Sequence, residues 1–211
     1  MLFHGVGRRC AVNLLDLDLP VSAPKAKRIL KSFGFRIIKV DLIKEAYKCL
    51  RSSQYVSCAD FQRAPQAVNC SSMIKWIYAQ KGIWLPRYAI EQSEYMPVAV
   101  QREQARPGDL VFVRGYRNFY RTDPRKKIGH VGIVTRRNTV VHAANEKKGV
   151  VETEFEKFTA NGGFVKRFPN LDKTLTLYCP KNRVIEWSGS FRWLILQRIK
   201  LKEIKNVTIQ K

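Results

Sequence analysis

Nowhere in the 211 residues does an uncharged apolar run approach the roughly 18 residues that a membrane-spanning helix requires. The chain is therefore expected to hold no membrane span. Cysteine is sparse: Cys10, Cys49, Cys58, Cys70 and Cys179 are odd in number, widely spaced, and contain no Cys-x-x-Cys pair. A disulfide framework, a zinc finger and a dithiol redox motif are not indicated. No internal repeat or low-complexity tract occurs. Near the N-terminus, Arg8-Arg9 precedes the short apolar stretch Cys10–Leu15, but Asp16 and Asp18 interrupt it before it reaches the length of a signal-peptide core. An export signal is not expected.

Acidic residues are also scarce, 17 against 39 Lys and Arg, for a net charge of +22. Such a charge attracts anions: nucleic acid, acidic surface polymers, anionic lipid or acidic peptides. It is not gathered in a tail, since residues 1–53, 54–179 and 180–211 carry +7, +9 and +6. That spread weighs against a nucleic-acid-binding arm. The densest local cluster is Arg114, Arg117, Arg121, Arg125, Lys126 and Lys127, opposed only by Asp123.

With 45% apolar and 11% aromatic residues the chain can bury one substantial core, and one domain with appendages is expected. Residues 1–35, with Pro20, Pro24 and Gly34 and no sustained periodicity, read as an irregular arm or short packed elements. Apolar residues at three- and four-residue spacing predict a helix from Val40 to Leu50. Met73, Ile74, Trp76, Ile77 and Tyr78 predict a buried helix over 70–81, stopped by Gly82. After Pro107-Gly108 the pattern changes to short β-type runs: 109–113, 130–135, 139–143, 150–152, 175–178 and 191–196. Helices first and strands second predict an α+β domain, its N-terminal helices packed on a mainly antiparallel sheet. The basic stretch 181–211 reads as an edge strand or a tail.

Cys70 falls at the start of the buried helix, where unpaired N–H groups and the helix dipole favour a thiolate and can stabilise an oxyanion. An ordinary buried cysteine is the alternative. Only three histidines occur; His4 lies in the arm, while His130 and His142 lie in adjacent strands around the turn Arg136-Arg137-Asn138. A hairpin centred on Arg137 sets His142 opposite Gly132 and makes His130 its diagonal neighbour on the same face. A slip of one residue would part the two rings. A catalytic role therefore predicts the register.

These residues sit within a larger ordered set. Asn69-Cys70-Ser71-Ser72, Gly82-Ile83-Trp84-Leu85-Pro86-Arg87 with Gln92, Arg106-Pro107-Gly108-Asp109-Leu110-Val111-Phe112, Gly129-His130-Val131-Gly132-Ile133-Val134 and Val141-His142-Ala143 resemble, in this order, the NlpC-type cysteine-peptidase family. That family is papain-like and largely cleaves peptidoglycan stem peptides. The resemblance spans about residues 40–155 and implies a catalytic domain over 36–180. It implies Cys70 as nucleophile, His130 as general base and acid, and His142 as the residue orienting His130, with no metal or cofactor. Tyr55 resembles the family tyrosine upstream of the nucleophile. The family usually has Asp-Cys-Ser-Gly where this chain has Asn69-Cys70-Ser71-Ser72, a change that bears on substrate approach.

The 15-residue segment Arg114–Ile128 is long for a hairpin connection. Its cations, Arg121 and Arg125 among them, are suited to a substrate carboxylate. The expected partner is thus an acidic peptide or peptidoglycan, with contact to an anionic polymer, and nucleic acid ranks lower. A related amidase or acyltransferase, or a silent basic binding module, are the alternatives. Without an export signal, the chain is expected in the cytoplasm or at the wall by a route that uses none.

Overall fold

The computed structural model describes residues 1–115 and 128–209. In chain order its elements are β1 (Arg9–Val12), α1 (Ala23–Ser32), β2 (Arg36–Ile38), α2 (Leu42–Ser52), β3 (Gln54–Tyr55), β4 (Ala67–Val68), α3 (Cys70–Lys81), α4 (Ala89–Tyr95), β5 (Val98–Val100), β6 (Leu110–Val113), β7 (His130–Val134), β8 (Thr139–Asn145), β9 (Gly149–Glu154), α5 (Phe155–Thr159), β10 (Phe164–Arg167), β11 (Leu175–Tyr178) and α6 (Ser190–Ile209). They fall into two units: Asp41–Gln80 with Leu85–Pro169, and Met1–Val40 with Lys81–Trp84 and Asn170–Lys211.

The larger unit is the expected α+β arrangement. Its six strands follow the order β5-β10-β6-β7-β8-β9, and every neighbouring pair is antiparallel. Helix α2 starts at Asp41, whose carboxylate accepts the N–H groups of Ile43 and Lys44 at 3.0 and 3.3 Å. Its apolar stripe, Leu42, Ile43, Ala46 and Cys49, is buried, and the helix lies against β8 and β9. Helix α3 has the bounds read from the sequence and is apolar nearly all round, with Met73, Ile74, Ile77 and Tyr78 fully buried. The Tyr78 hydroxyl donates to the Gly108 carbonyl at 2.6 Å. In the turn entering β6, the Asp109 carboxylate accepts the Arg106 N–H at 2.7 Å and both Nε and Nη2 of Arg167 at 2.8 and 2.6 Å. That fork ties the turn to β10 and is structural in role.

The smaller unit departs from the sequence reading. Of the two readings of residues 1–35, they form short packed elements and not an irregular arm: β1 joins the three-stranded antiparallel sheet β1-β11-β2, and α1 packs on α6. Cys10, Val12, Leu30 and Phe35 from this stretch share a core with Leu177, Cys179, Phe191 and Ile195. The run 191–196 is helical rather than a strand, and 190–209 forms α6 in place of an edge strand or tail. Phe191, Leu194 and Ile195 are buried at helical spacing while Trp193 is 60% exposed. A short apolar run fits strand and helix alike, and the three- and four-residue spacing decides. Residues 36–40 and 170–180 group with both termini because β11 pairs with β1 and β2. Gly82 has the expected positive φ of 83°, and a Cβ there would lie 2.7 Å from the Cys10 and Ala11 backbone. Among the described residues no helix is long and apolar enough to cross a membrane.

Candidate active site

Asn69 caps α3 reciprocally with Ser72. The Asn69 side-chain oxygen accepts the Ser72 N–H at 2.9 Å, and the Ser72 hydroxyl accepts the Asn69 N–H at 2.9 Å. The Asn69 amide also donates to the Ser57 carbonyl at 2.9 Å. Ser72 is fully buried against its cap, so the hydroxymethyl that replaces a glycine completes the helix start rather than narrowing an approach from solvent.

This cap holds Cys70 at the first position of α3, a half-buried residue outside any disulfide. The backbone N–H groups of Val131 on β7, the residue after His130, and of Ser71 and Cys70 on α3 favour its thiolate. Burial raises the thiol pKa above its ordinary value; the N–H groups and the Arg87 charge oppose that rise. Arg87 is held by hydrogen bonds from Nη1 to the Ser71 hydroxyl at 3.1 Å and from Nη2 to the Ala59 carbonyl at 2.8 Å. Gln92 is buried and donates to the carbonyls of Ser71 at 2.9 Å and Pro86 at 3.1 Å, fastening α4 to the same helix start.

The two histidines meet as the register requires. Ile133 pairs with Val141 and Val134 with Val140, which continues to Gly132 opposite His142. His130 Nε2 lies 2.8 Å from His142 Nδ1, with the rings edge to face at a centroid separation of 5.0 Å. Gly132 is what allows this approach: a Cβ there would lie 2.3 Å from Val140 Cγ1 and 3.1 Å from His142 Cβ. On the far side, His142 Nε2 lies 3.0 Å from the Thr153 hydroxyl on β9. The Phe158 ring of α5 packs on both imidazoles, 5.7 Å from His130 and 4.7 Å from His142. Burial lowers the His130 pKa to about 4. Burial, then the charges of His130 and Lys148, lower that of His142 to about 3. Near neutral pH both rings are uncharged.

Tyr55 lies on β3, opposite Val68 in a short parallel pair with β4 that leads into Asn69 and Cys70. Arg121 and Arg125 lie outside the described residues. Arg87, Thr153 and Phe158 were missed as site residues. Arg87 stood in the motif stretch without a role. Thr153 sits two residues from Val151, the partner of His142, and alternation along β9 was the available signal. Phe158 had no local signal.

The model of the NlpC/P60 family matches residues 60–165. No curated protein matches the chain. An NlpC/P60 family protein from Bacillus cereus is similar at 18% identity and a TM-score of 0.50, over 63% of this chain and 41% of that one. NlpC2 from Trichomonas vaginalis is 20% identical with a TM-score of 0.49, over 62% of this chain and 47% of that one. The peptidoglycan hydrolase RipB from Mycobacterium tuberculosis is 17% identical with a TM-score of 0.46, over 70% and 68%. The chain thus spans about half the length of the Trichomonas structure.

Proposed function

The chain belongs to the NlpC/P60 family, generally cell-wall peptidases and amidases, and from that premise we propose that it is a cysteine hydrolase cleaving peptidoglycan stem peptides. Cys70 is the nucleophile, His130 the general base and acid, and His142 the residue that orients His130. The observation that carries this reading is the 2.8 Å His130–His142 contact, on the strand whose Val131 N–H favours the thiolate of Cys70 at the start of α3.

The hydrogen-bond chain is compatible with one productive assignment of the protons. If His130 Nδ1 is to accept the Cys70 proton, its Nε2 carries a hydrogen, and His142 Nδ1 accepts it. His142 Nε2 then carries the second hydrogen and donates to the Thr153 hydroxyl. As the thiol proton moves to His130 Nδ1, the sulfur attacks the amide carbonyl, and backbone N–H groups at the start of α3 receive the oxyanion. His130 next gives its proton to the leaving amine as the C–N bond breaks, leaving a thioester. Water, deprotonated by His130, releases the acid and restores the thiol. Arg87 supports the sulfur as it gains charge, and Tyr55 borders the substrate side.

Digestion of purified peptidoglycan with mass analysis of the fragments tests the proposal. New amine and carboxyl ends within the stem peptide are expected, and their absence in Cys70→Ala. Cleavage at the sugar–peptide amide would make the enzyme an amidase; undiminished digestion by Cys70→Ala would end the cysteine mechanism.

A further inference from the structure

The smaller unit concentrates the charge. Over 86 residues it carries 18 Lys and Arg against 5 Asp and Glu, net +13, whereas the larger unit carries 21 against 12, net +9, over 125. Four of its arginines are arranged in pairs on aromatic rings. The guanidinium carbons of Arg8 and Arg36 lie 4.5 and 4.8 Å from the centre of the Tyr178 ring. Those of Arg183 and Arg198 lie 5.1 and 5.9 Å from the centre of Phe33. Arg36 stands directly across from Tyr178 in the β2–β11 pairing, and Arg8 is pinned by two hydrogen bonds to the Cys179 carbonyl at 2.9 and 2.7 Å. On α1, Lys25, Arg28 and Lys31 are exposed, opposite the buried Ala26, Ile29 and Leu30.

A ring face attracts a guanidinium without neutralising it. Two like charges held on one ring repel each other, and a bridging anion relieves that repulsion. Stacking also removes much of the side chain's rotamer freedom before any ligand arrives, and a guanidinium carries five N–H donors, so even Arg8, whose Nε and Nη2 are bound to the Cys179 carbonyl, keeps its Nη1 donors. The pairs are therefore preorganised anion contacts set in a strongly basic unit.

We infer that the smaller unit is a binding module for the carboxylate-bearing peptidoglycan mesh, with Arg8, Arg36, Arg183 and Arg198 among its contacts. The choice of polymer rests on the proposed function: a module that holds the polymer the same chain cleaves raises the effective concentration of scissile bonds around the catalytic unit.

The test uses the full chain carrying Cys70→Ala, sedimented with purified sacculi stripped of accessory polymers, over a series of salt concentrations. Binding that weakens steeply with salt is expected. The added set Arg8→Gln, Arg36→Gln, Arg183→Gln and Arg198→Gln is expected to lower the bound-to-free ratio on the order of tenfold, from four charge contacts, two of them exposed and two half-buried. Placed in the active chain, the same set leaves hydrolysis of a soluble stem-peptide fragment unchanged. If that set does not fold by circular dichroism, Lys25→Gln, Arg28→Gln and Lys31→Gln, all exposed, serve as the second variant with the same expected direction. Sedimentation equal to the parent's, salt-independent binding, or capture of duplex DNA but not sacculi would each overturn the inference. Arginine-dependent binding by a chain that cleaves nothing would leave this inference standing and remove the hydrolase reading; cleavage with arginine-independent binding would do the reverse.

Discussion

Acid should loosen the larger unit as its buried histidine pair is forced to take up protons. An exposed histidine takes up a proton near pH 6.5, but in the fold His130 does so only near 4, because its ring is buried against Phe158 and His142. Between those limits the unfolded chain binds the proton and the folded chain does not, so folding stability is complete above about pH 7 and falls as pH drops toward 4. At 1.36 kcal/mol per pH unit, the interval from 6.5 to about 4 amounts to about 3 kcal/mol for His130 alone. His142 is lower still, but part of that displacement is repulsion from a charged His130, so the two are not summed. Asp41, despite burial pushing its carboxyl up, is held below the usual range by Arg136 and the N–H groups of Lys44 and Ile43. The assay is amide hydrogen exchange of β7 and β8 with urea unfolding at pH 7.0 and 4.5, on the parent and on His130→Asn with His142→Asn. The parent should lose at least about 2–3 kcal/mol, the share of His130 alone, and the double variant less than half of the parent's loss. The same neutral His130 keeps the acid limb of kcat/KM near pH 4 rather than 6.5. Stability that is flat from pH 6.5 to 4.5, or an equal loss in the double variant, would refute the reasoning.

Two substitutions probe how the histidine pair is held. Thr153→Val leaves the buried His142 Nε2–H without its acceptor, a loss of about 1–3 kcal/mol that removes the preference for the productive tautomer; kcat/KM should fall on the order of tenfold, and Thr153→Ser should restore it. Equal activity of the valine and serine variants would show that Thr153 only fills space. Gly132→Ala sets a methyl 2.3 Å from the fully buried Val140 side chain, so about 1–3 kcal/mol of stability should be lost, together with the 2.8 Å His130–His142 contact. Thermal unfolding and the imidazole proton signals read both effects, and an unshifted melting temperature would count against the packing argument.

What could be read from the sequence follows how far apart the interacting residues are. Helix α3 was legible to the residue because both ends are marked locally, by the Asn69 cap and the positive φ of Gly82. The β7–β8 register was legible because a four-residue connection leaves few pairings, and only one parity brings two histidines together. Thr153 and Phe158 were not, since their positions depend on β9 and α5 folding back onto the hairpin. The smaller unit was least legible of all: Arg9–Val12 pairs with Leu175–Tyr178 across more than 160 residues, and no local pattern announces such a partner. The same separation disguised the charge. Along the chain +22 is spread almost evenly, yet folding gathers both termini into a unit of +13 and sets Arg8 beside Arg36, Arg183 beside Arg198. A linear count weighs against a binding arm because it assumes that a cationic surface comes from one contiguous block. Here the sheet β1-β11-β2 and helices α1 and α6 bring sequence-distant pieces into one unit, so an even distribution along the chain and a concentrated one in that unit are compatible.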